Sequence, residues 1–389
     1  MVAAGLTITR AIQSAPWPST SANLEYAGLW GTIGPVSDAA VRVADGVVVH
    51  RISTLLEAEG AVTGNPVRLR ENAGIAFQGC IVLGMGFVLD PAEAQEWVDV
   101  DPRNADVLFP YLNGEDLNSR PDCTASRWVI DFNDRTETSS ARYALPFARV
   151  LARVKPERDR NNRKARREGW WRFAEVASGM RRAIAGLDEV LVLTQVSKVG
   201  VPTMVPTNQV FDQRLVVFAS SDSRLLAVIS SSAHMVWAIK YSATLETRLS
   251  YTPSDAFLTF PRPGPTEWLG RIGRVLETER REMMLRRGLG LTSLYNLVND
   301  PEVTADPDVD RLRAIHVELD EAVMAAYGWS DVELDHGFHT YRQMTRWTVC
   351  PAARVEILDR LLEENHRRAA LQGEVAPAAS DDDELEGDE

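Results

Sequence analysis

The stretch FQGCIVLGMGFVLDPAEAQ at residues 77–95 does most to decide the fold. It belongs to an apolar, glycine-containing run over residues 74–90, which favours a buried strand that other backbone segments approach closely. A proline follows at Pro91, and proline is well tolerated in the first turn of a helix. The pattern therefore predicts a buried strand over 74–90 and then a short helix from Pro91 to Val98.

Further strand and helix signals follow along the chain. The turn-rich stretch LFPYLNGEDLNSRPD (108–122) precedes a strand candidate, SRWVIDF (126–132). Two more apolar strand candidates, at 190–196 and 215–219, lead to Asp222, which is a good helix N-cap. Leu225, Ile229, Ala233 and Val236 then share one helical stripe. This alternation predicts a mixed α/β unit that ends near Pro265.

Beyond Pro265 the periodicity indicates helices only. Apolar stripes predict one helix from about Trp268 to Gly288, a second over 312–326 and a third that starts at Pro351. The predicted fold class is therefore mixed α+β, with an α/β unit followed by an all-helical one.

The two ends of the chain have characters of their own. Strand-like stretches at 6–12, 23–30 and 45–52 suggest strands without an obvious sheet of their own, whereas residues 381–389 contain seven acids and predict a disordered tail. We therefore predict four regions, namely 1–73, 74–265, 266–372 and 373–389.

Charge is distributed unevenly in this acidic chain. The formal net charge is −13, which argues against a protein that coats nucleic acid indiscriminately. Residues 153–172 nevertheless contain nine basic residues and three acidic ones. The pattern predicts a helix over 155–173, with Arg160, Arg163, Lys164 and Arg167 on one face.

This basic segment predicts contacts with the phosphates of duplex DNA, because guanidinium and ammonium groups pair with phosphate oxygens. The alternative is a solvated charged surface. The candidate DNA-binding residues of the segment are Arg158, Arg160, Asn162, Arg163, Lys164, Arg166 and Arg167.

Two further groups of polar residues are candidates for DNA contacts. Asn113, Asn118 and Arg120 carry side chains that can hydrogen-bond to base edges, although turn chemistry explains the same residues without a ligand. Lys198 follows a predicted strand, and Arg248 and Tyr251 precede the TPSD turn, so all three suit loops held by a sheet.

Other chemistry finds little support in the sequence. The three cysteines are far apart without a CxxC pair, and His336 and His339 have no recognisable third metal ligand, so no metal or catalytic site is predicted. The longest apolar run, at 80–89, is too short to cross a bilayer. The expected location is the cytoplasm, without membrane contact.

Several stretches together resemble the MmeI-like restriction and modification enzymes, which are DNA adenine methyltransferases. Residues 77–95, 101–122 and 126–132 resemble their target-recognition domain. Further similarity lies at 153–175, 251–261, 291–301, 312–329 and 353–368. The resemblance implies that the chain recognises double-stranded DNA, and that residues 1–73 correspond to the end of a methyltransferase domain.

The catalytic motifs of that family are not found in this sequence. It has no glycine-rich cofactor turn in a suitable context and no Asn/Asp-Pro-Pro-Tyr/Phe loop to grip a flipped adenine. The resemblance thus implies a DNA-binding module without a cofactor of its own, whose methyltransferase partner, a chain or a domain, binds S-adenosylmethionine. The alternatives are a divergent or split S-adenosylmethionine-dependent enzyme, and a non-functional fragment or interaction scaffold.

Overall fold

A computed structural model describes residues 5–17, 25–37, 39–53, 56, 58–60, 62–245, 248–341 and 344–372. The predicted acidic tail at 373–389 lies outside the described residues. The fold is mixed α+β, as the sequence predicts, with several small sheets and helices around them.

The N-terminal strands form a sheet of their own, so the expectation that they would lack one is wrong. The strands are β1 (Leu6–Pro16), β2 (Glu25–Ile33), β3 (Arg42–Ala44) and β4 (Val47–Val49), in the order β2-β1-β3-β4. Asp45 and Gly46 join β3 to β4 with φ values of 49° and 82°. Such a two-residue turn suits a tight hairpin, and an Asp-Gly pair in a sequence typically indicates one. A short ladder of β5 (Arg51–Ile52) and β6 (Ala58–Glu59) follows.

The apolar run at 74–90 is not one buried strand as predicted. It supplies β7 (Ala76–Gln78) to one sheet and β8 (Val88–Leu89) to another. The chain changes direction between them because Leu83 and Gly84 have φ values of 46° and 134°. The predicted helix after Pro91 is confirmed as α1 (Pro91–Val100).

The central region contains nine further strands among the described residues, which are β9 (Leu108–Leu112), β10 (Arg127–Ile130), β11 (Glu189–Thr194), β12 (Val196–Ser197), β13 (Thr203–Pro206), β14 (Val210–Phe211), β15 (Leu215–Phe218), β16 (Ala243–Leu245) and β17 (Arg248–Ser250). With β7 and β8, the region forms two four-stranded sheets, β14-β9-β10-β8 and β13-β11-β15-β7, and a three-stranded sheet, β12-β17-β16. Its remaining helices are α2 (Gly114–Ser119), α3 (Glu137–Ser140), α4 (Ala144–Arg153), α5 (Lys155–Arg158), α6 (Lys164–Glu168), α7 (Ser178–Ile184), α8 (Ser223–Ser230) and α9 (Ser232–Tyr241).

The helix predicted after Asp222 begins as expected but divides in two. Asp222 accepts a hydrogen bond from the backbone N–H of Arg224 and starts α8. Ser231 then adopts an extended conformation, and its hydroxyl accepts from the N–H of His234 to start α9. A serine that caps a second helix therefore interrupts the continuous stripe that periodicity predicts.

The three predicted C-terminal helices are confirmed as α10 (Glu267–Arg287), α12 (Pro307–Tyr327) and α13 (Pro351–Leu371). Gly288 ends α10 with φ 63°, as a glycine after a helix commonly does. The expectation of helices alone is wrong, because β18 (Gly337–Tyr341) and β19 (Met344–Thr348) form a hairpin. A short helix, α11 (Leu291–Val298), is also present.

One hydrophobic core connects the central sheets to the C-terminal helices. It runs from Cys80 and Phe87 to Ile357 and Leu361. Buried Asn365 on α13 adds a polar link, because its amide donates to the carbonyl oxygen of Val67 and accepts from the N–H of the same residue. The C-terminal helices therefore pack against the central sheets and hold the segment at Val67 in place.

Buried His234 makes the fold sensitive to acid. Burial lowers the pKa of His234 to about 3, below the ordinary value of about 6.5. As pH falls between these values, the unfolded chain binds a proton that the folded chain does not. We therefore expect His234 to reduce the free energy of unfolding by about 1.4 kcal/mol per pH unit between about pH 6 and pH 4. Urea unfolding over this range measures the slope, and an unchanged slope in His234→Gln would contradict the prediction.

Candidate nucleic-acid interface

The basic segment at 153–172 is not the single helix that the sequence predicts. It forms α5 and α6, which are short helices separated by residues 159–163. The predicted common face of Arg160, Arg163, Lys164 and Arg167 therefore does not exist as a helical face. The physical reason lies in two of its own arginines, which bond to backbone carbonyls instead of facing solvent.

Arg158 is the first of these two arginines, and its burial contradicts the prediction that it contacts DNA. Its side chain is only 2% exposed. Its Nη2 donates to the carbonyl oxygens of Val82, Leu83 and Arg172 at 3.2, 3.0 and 3.3 Å. Burial lowers the pKa of this guanidinium. Arg158 thus fastens the turn after residue 82 to the basic segment and has a structural role.

Arg167 is the second, and it shapes the loop between the two helices. Its Nη1 donates to the carbonyl oxygen of Asn161 at 2.6 Å and to that of Asn162 at 2.9 Å. The guanidinium is therefore largely committed to folding this loop, whereas the side chain of Asn162 is exposed.

The remaining cations of the segment extend from this folded loop. Arg160, Arg163 and Lys164 are exposed, and Arg166 is half-buried. Lys164 lies 3.8 Å from Glu168, whereas none of the three arginines forms an ion pair with a described residue. Exposed Arg153, at the end of α4, is equally without such a partner, and it was missed because the predicted helix starts after it. We call Arg153, Arg160, Arg163, Lys164 and Arg166 the basic cluster.

The polar residues at 113–120 lie on or beside the short helix α2. For Asn113 the alternative explanation is correct, because its side chain bonds to nearby backbone instead of to a ligand. Asn113 is buried and caps α2, because its Oδ1 accepts from the N–H groups of Glu115 and Asp116. Its amide donates to Asp116, which leaves little capacity for a base edge. The prediction that Asn113 reads bases is therefore wrong.

The other two residues of this group are also occupied by protein partners. The amide of Asn118 donates to Thr194 Oγ1 at 2.9 Å. Arg120 Nε donates to Thr124 Oγ1 at 3.3 Å and lies 3.5 Å from an oxygen of Asp122. Both side chains are half-buried, so a base contact would have to replace or extend these bonds.

The three-stranded sheet brings Lys198 and Arg248 to one place. Ser197 pairs with Leu249 across antiparallel β12 and β17, so Lys198 and Arg248 lie at the same end of the sheet. Lys198 is exposed, whereas the side chain of Arg248 lies outside the described residues. Arg346 of the C-terminal hairpin donates to the carbonyl oxygens of Lys198 and Val199, which holds this end in position.

Tyr251 is a core residue, and the prediction that it contacts DNA is wrong. The residue is 1% exposed and its hydroxyl lies 2.9 Å from His234 Nε2. Burial raises the pKa of the phenol well above its ordinary value. Its ring packs against Phe218 of β15 and His234 of α9, a position that local sequence does not reveal.

The two histidines that were considered as metal ligands, His336 and His339, are not arranged as a metal-binding pair. His336 Nε2 lies 2.9 Å from Asp320 Oδ2, and His339 lies on a strand rather than on the helical turn that a metal pair would need. Across the described ranges, three or more potential metal ligands do not come together. Every described helix is also too short or too polar to span a membrane.

Comparisons with known proteins point to one family. Residues 74–264 match the family model described as MmeI, target recognition domain. The structure of the type IIL restriction-modification enzyme MmeI in complex with DNA has a similar fold, with a TM-score of 0.63 and 17% sequence identity. The similarity covers 95% of this chain and 47% of that chain, so this chain spans about half the length of that enzyme. No curated protein matches the sequence. Residues 74–264 are therefore a target recognition domain of the MmeI family.

Proposed function

We propose that this chain is the sequence-specific DNA-recognition part of a restriction-modification or phage-defence DNA adenine methyltransferase, and that it acts on double-stranded DNA in the cytoplasm. The observation that carries the proposal is the match of residues 74–264 to a target recognition domain, from which arginines without an ion pair to any described residue extend into solvent. An MmeI enzyme has been solved in complex with DNA, which supports the same assignment.

The basic cluster holds the phosphates in this proposal. A guanidinium without an acidic partner gains a phosphate contact without first losing an ion pair, and it releases counterions from the DNA. Such contacts position the protein but carry no sequence information. Lys198 and Arg248, at the end of the three-stranded sheet, are the proposed second contact region, where loops can approach base edges.

We further propose that methylation belongs to a partner, either a separate methyltransferase chain or a further domain. Gly84 and Gly86 do not fit a cofactor cradle for S-adenosylmethionine. A Cβ on Gly86 would lie 2.7 Å from both Arg153 Cβ and Val154 Cγ2, so this glycine makes room for the protein's own helix end. Calorimetric titration with S-adenosylmethionine tests this part, and tight binding by the purified chain would overturn it.

Salt dependence of duplex binding tests the recognition function. If about four cations contact phosphates, the affinity is expected to fall about a hundredfold between about 50 and 200 mM salt. Fluorescence anisotropy with a labelled duplex measures the affinity, and selection from a random duplex pool gives the preferred sequence. A chain that retains no duplex at the lowest salt, with or without a methyltransferase partner, would contradict the proposal.

A further inference from the structure

Two large apolar side chains extend into solvent from the turn at residues 82–87. Met85 is 69% exposed and Leu83 is 43% exposed. The residues that flank this pair are buried, since Val82 is 6% exposed and Phe87 is fully covered and packs edge-on against Phe173 with ring centroids 5.4 Å apart. The turn therefore has a buried base and an apolar tip.

The tip is held rigidly in this outward position. Leu83 has φ 46°, a left-handed conformation that is unfavourable for a leucine and persists where surrounding contacts impose it. Arg158 donates to the carbonyl oxygens of Val82 and Leu83 on one side of the tip. On the other side, Arg149 donates to those of Gly86 and Val88 at 3.1 and 2.7 Å. Two arginines thus clamp the turn.

The tip is also adjacent to the basic cluster. Gly86 packs directly on Arg153 and Val154, where no side chain would fit. Exposed Arg153 belongs to the basic cluster, and clamping Arg158 is two residues from Arg160 in the chain. A polyanion that lies on the cluster would therefore meet Met85 and Leu83 at its edge.

We propose that Leu83 and Met85 form an apolar wedge that enters between adjacent base pairs of the duplex held by the basic cluster. The inference rests on the proposed DNA-binding function. Leucine and methionine are among the side chains that unstack base steps in this way. Phosphate contacts by the neighbouring arginines would position the duplex beside the wedge. Arg153 lies beside the tip and forms no ion pair with a described residue, which favours a polyanion over an apolar protein surface as the occupant. The rigidity of the turn is needed because base pairs resist separation. A flexible tip would fold back instead of making the contacts that offset the loss of base stacking.

The test compares two labelled duplexes that differ only by a single mismatched base pair. A mismatch weakens stacking, so insertion costs less there, and the unchanged chain is expected to bind the mismatched duplex about fivefold more tightly than the paired one. The double variant Leu83→Ala/Met85→Ala is expected to lose this preference and to bind the two duplexes with equal affinity. Because Met85 is 69% exposed and Leu83 is 43% exposed, the thermal unfolding of this variant should stay close to that of the unchanged chain.

The control is Leu285→Ala, which removes a leucine of comparable exposure, 52%, from α10, and it should keep the preference. A double variant that still prefers the mismatch would overturn the wedge and leave DNA binding intact. Failure of the unchanged chain to bind either duplex would overturn the proposed function and the wedge together. A change in oligomeric state of the double variant, with its mismatch preference unaltered, would identify the tip as a protein contact and also overturn the wedge.

Discussion

A chain in which Arg160 and Arg163 are both replaced by glutamate is expected to bind duplex DNA about a hundredfold more weakly at low salt. Each reversal removes one phosphate contact and introduces repulsion, and a loss of about 1.4 kcal/mol at each position gives two tenfold steps. The slope of log affinity against log salt should also fall by about two. Anisotropy titrations at several salt concentrations measure both quantities.

This test needs arginines whose replacement does not also disturb the fold, and the structure shows which ones they are. Arg160 and Arg163 form no ion pair with a described residue, so their reversal should leave the fold intact. Arg167 and Arg158 are unsuitable, because each holds backbone carbonyl oxygens and its loss would disturb the loop. Reversal of Arg274 and Arg281 on α10 changes the net charge equally and serves as the control. An equal loss of affinity in this control would mean that net charge, and not the basic cluster, governs binding.

Replacement of Gly273 by alanine is expected to destabilise the fold by about 3 kcal/mol. Helices α8 and α10 pack so closely that a Cβ on Gly273 would lie 1.9 Å from the carbonyl oxygen of Ser223. Backbone cannot move aside as a flexible side chain can, so the two helices must separate and expose part of the core between them. Urea unfolding should show a midpoint well below that of the unchanged chain.

The same helix provides the matched control for this prediction. A Cβ on Gly270 would lie 3.4 Å from its nearest neighbours, which are flexible arginine side chains. Gly270→Ala should therefore be neutral or stabilise the fold by up to about 1 kcal/mol, through the higher helix propensity of alanine. If both variants have the same free energy of unfolding, the close approach of α8 and α10 at Gly273 does not determine the stability, and the prediction is wrong.

Helix boundaries in the C-terminal region could be predicted because their signals are local. Gly288 ends α10 and Pro351 starts α13, each through the conformational preference of a single residue. The same reasoning wrongly predicted one continuous helix over the basic segment. Periodicity assumes that every charged side chain faces solvent, whereas Arg158 and Arg167 bind carbonyl oxygens supplied partly by residues far away in sequence.

The sequence by itself determined the family, the mixed α+β class and the position of the positive charge, because motifs, apolar periodicity and composition are properties of neighbouring residues. Only the tertiary structure decided which candidates are available to a ligand. In the folded chain Tyr251 is buried against His234, Asn113 caps a helix, and Arg160 and Arg163 form no ion pair within the part of the chain that the structure describes. The physical reason is that exposure and hydrogen-bond capacity depend on partners brought together by folding, which no local pattern specifies.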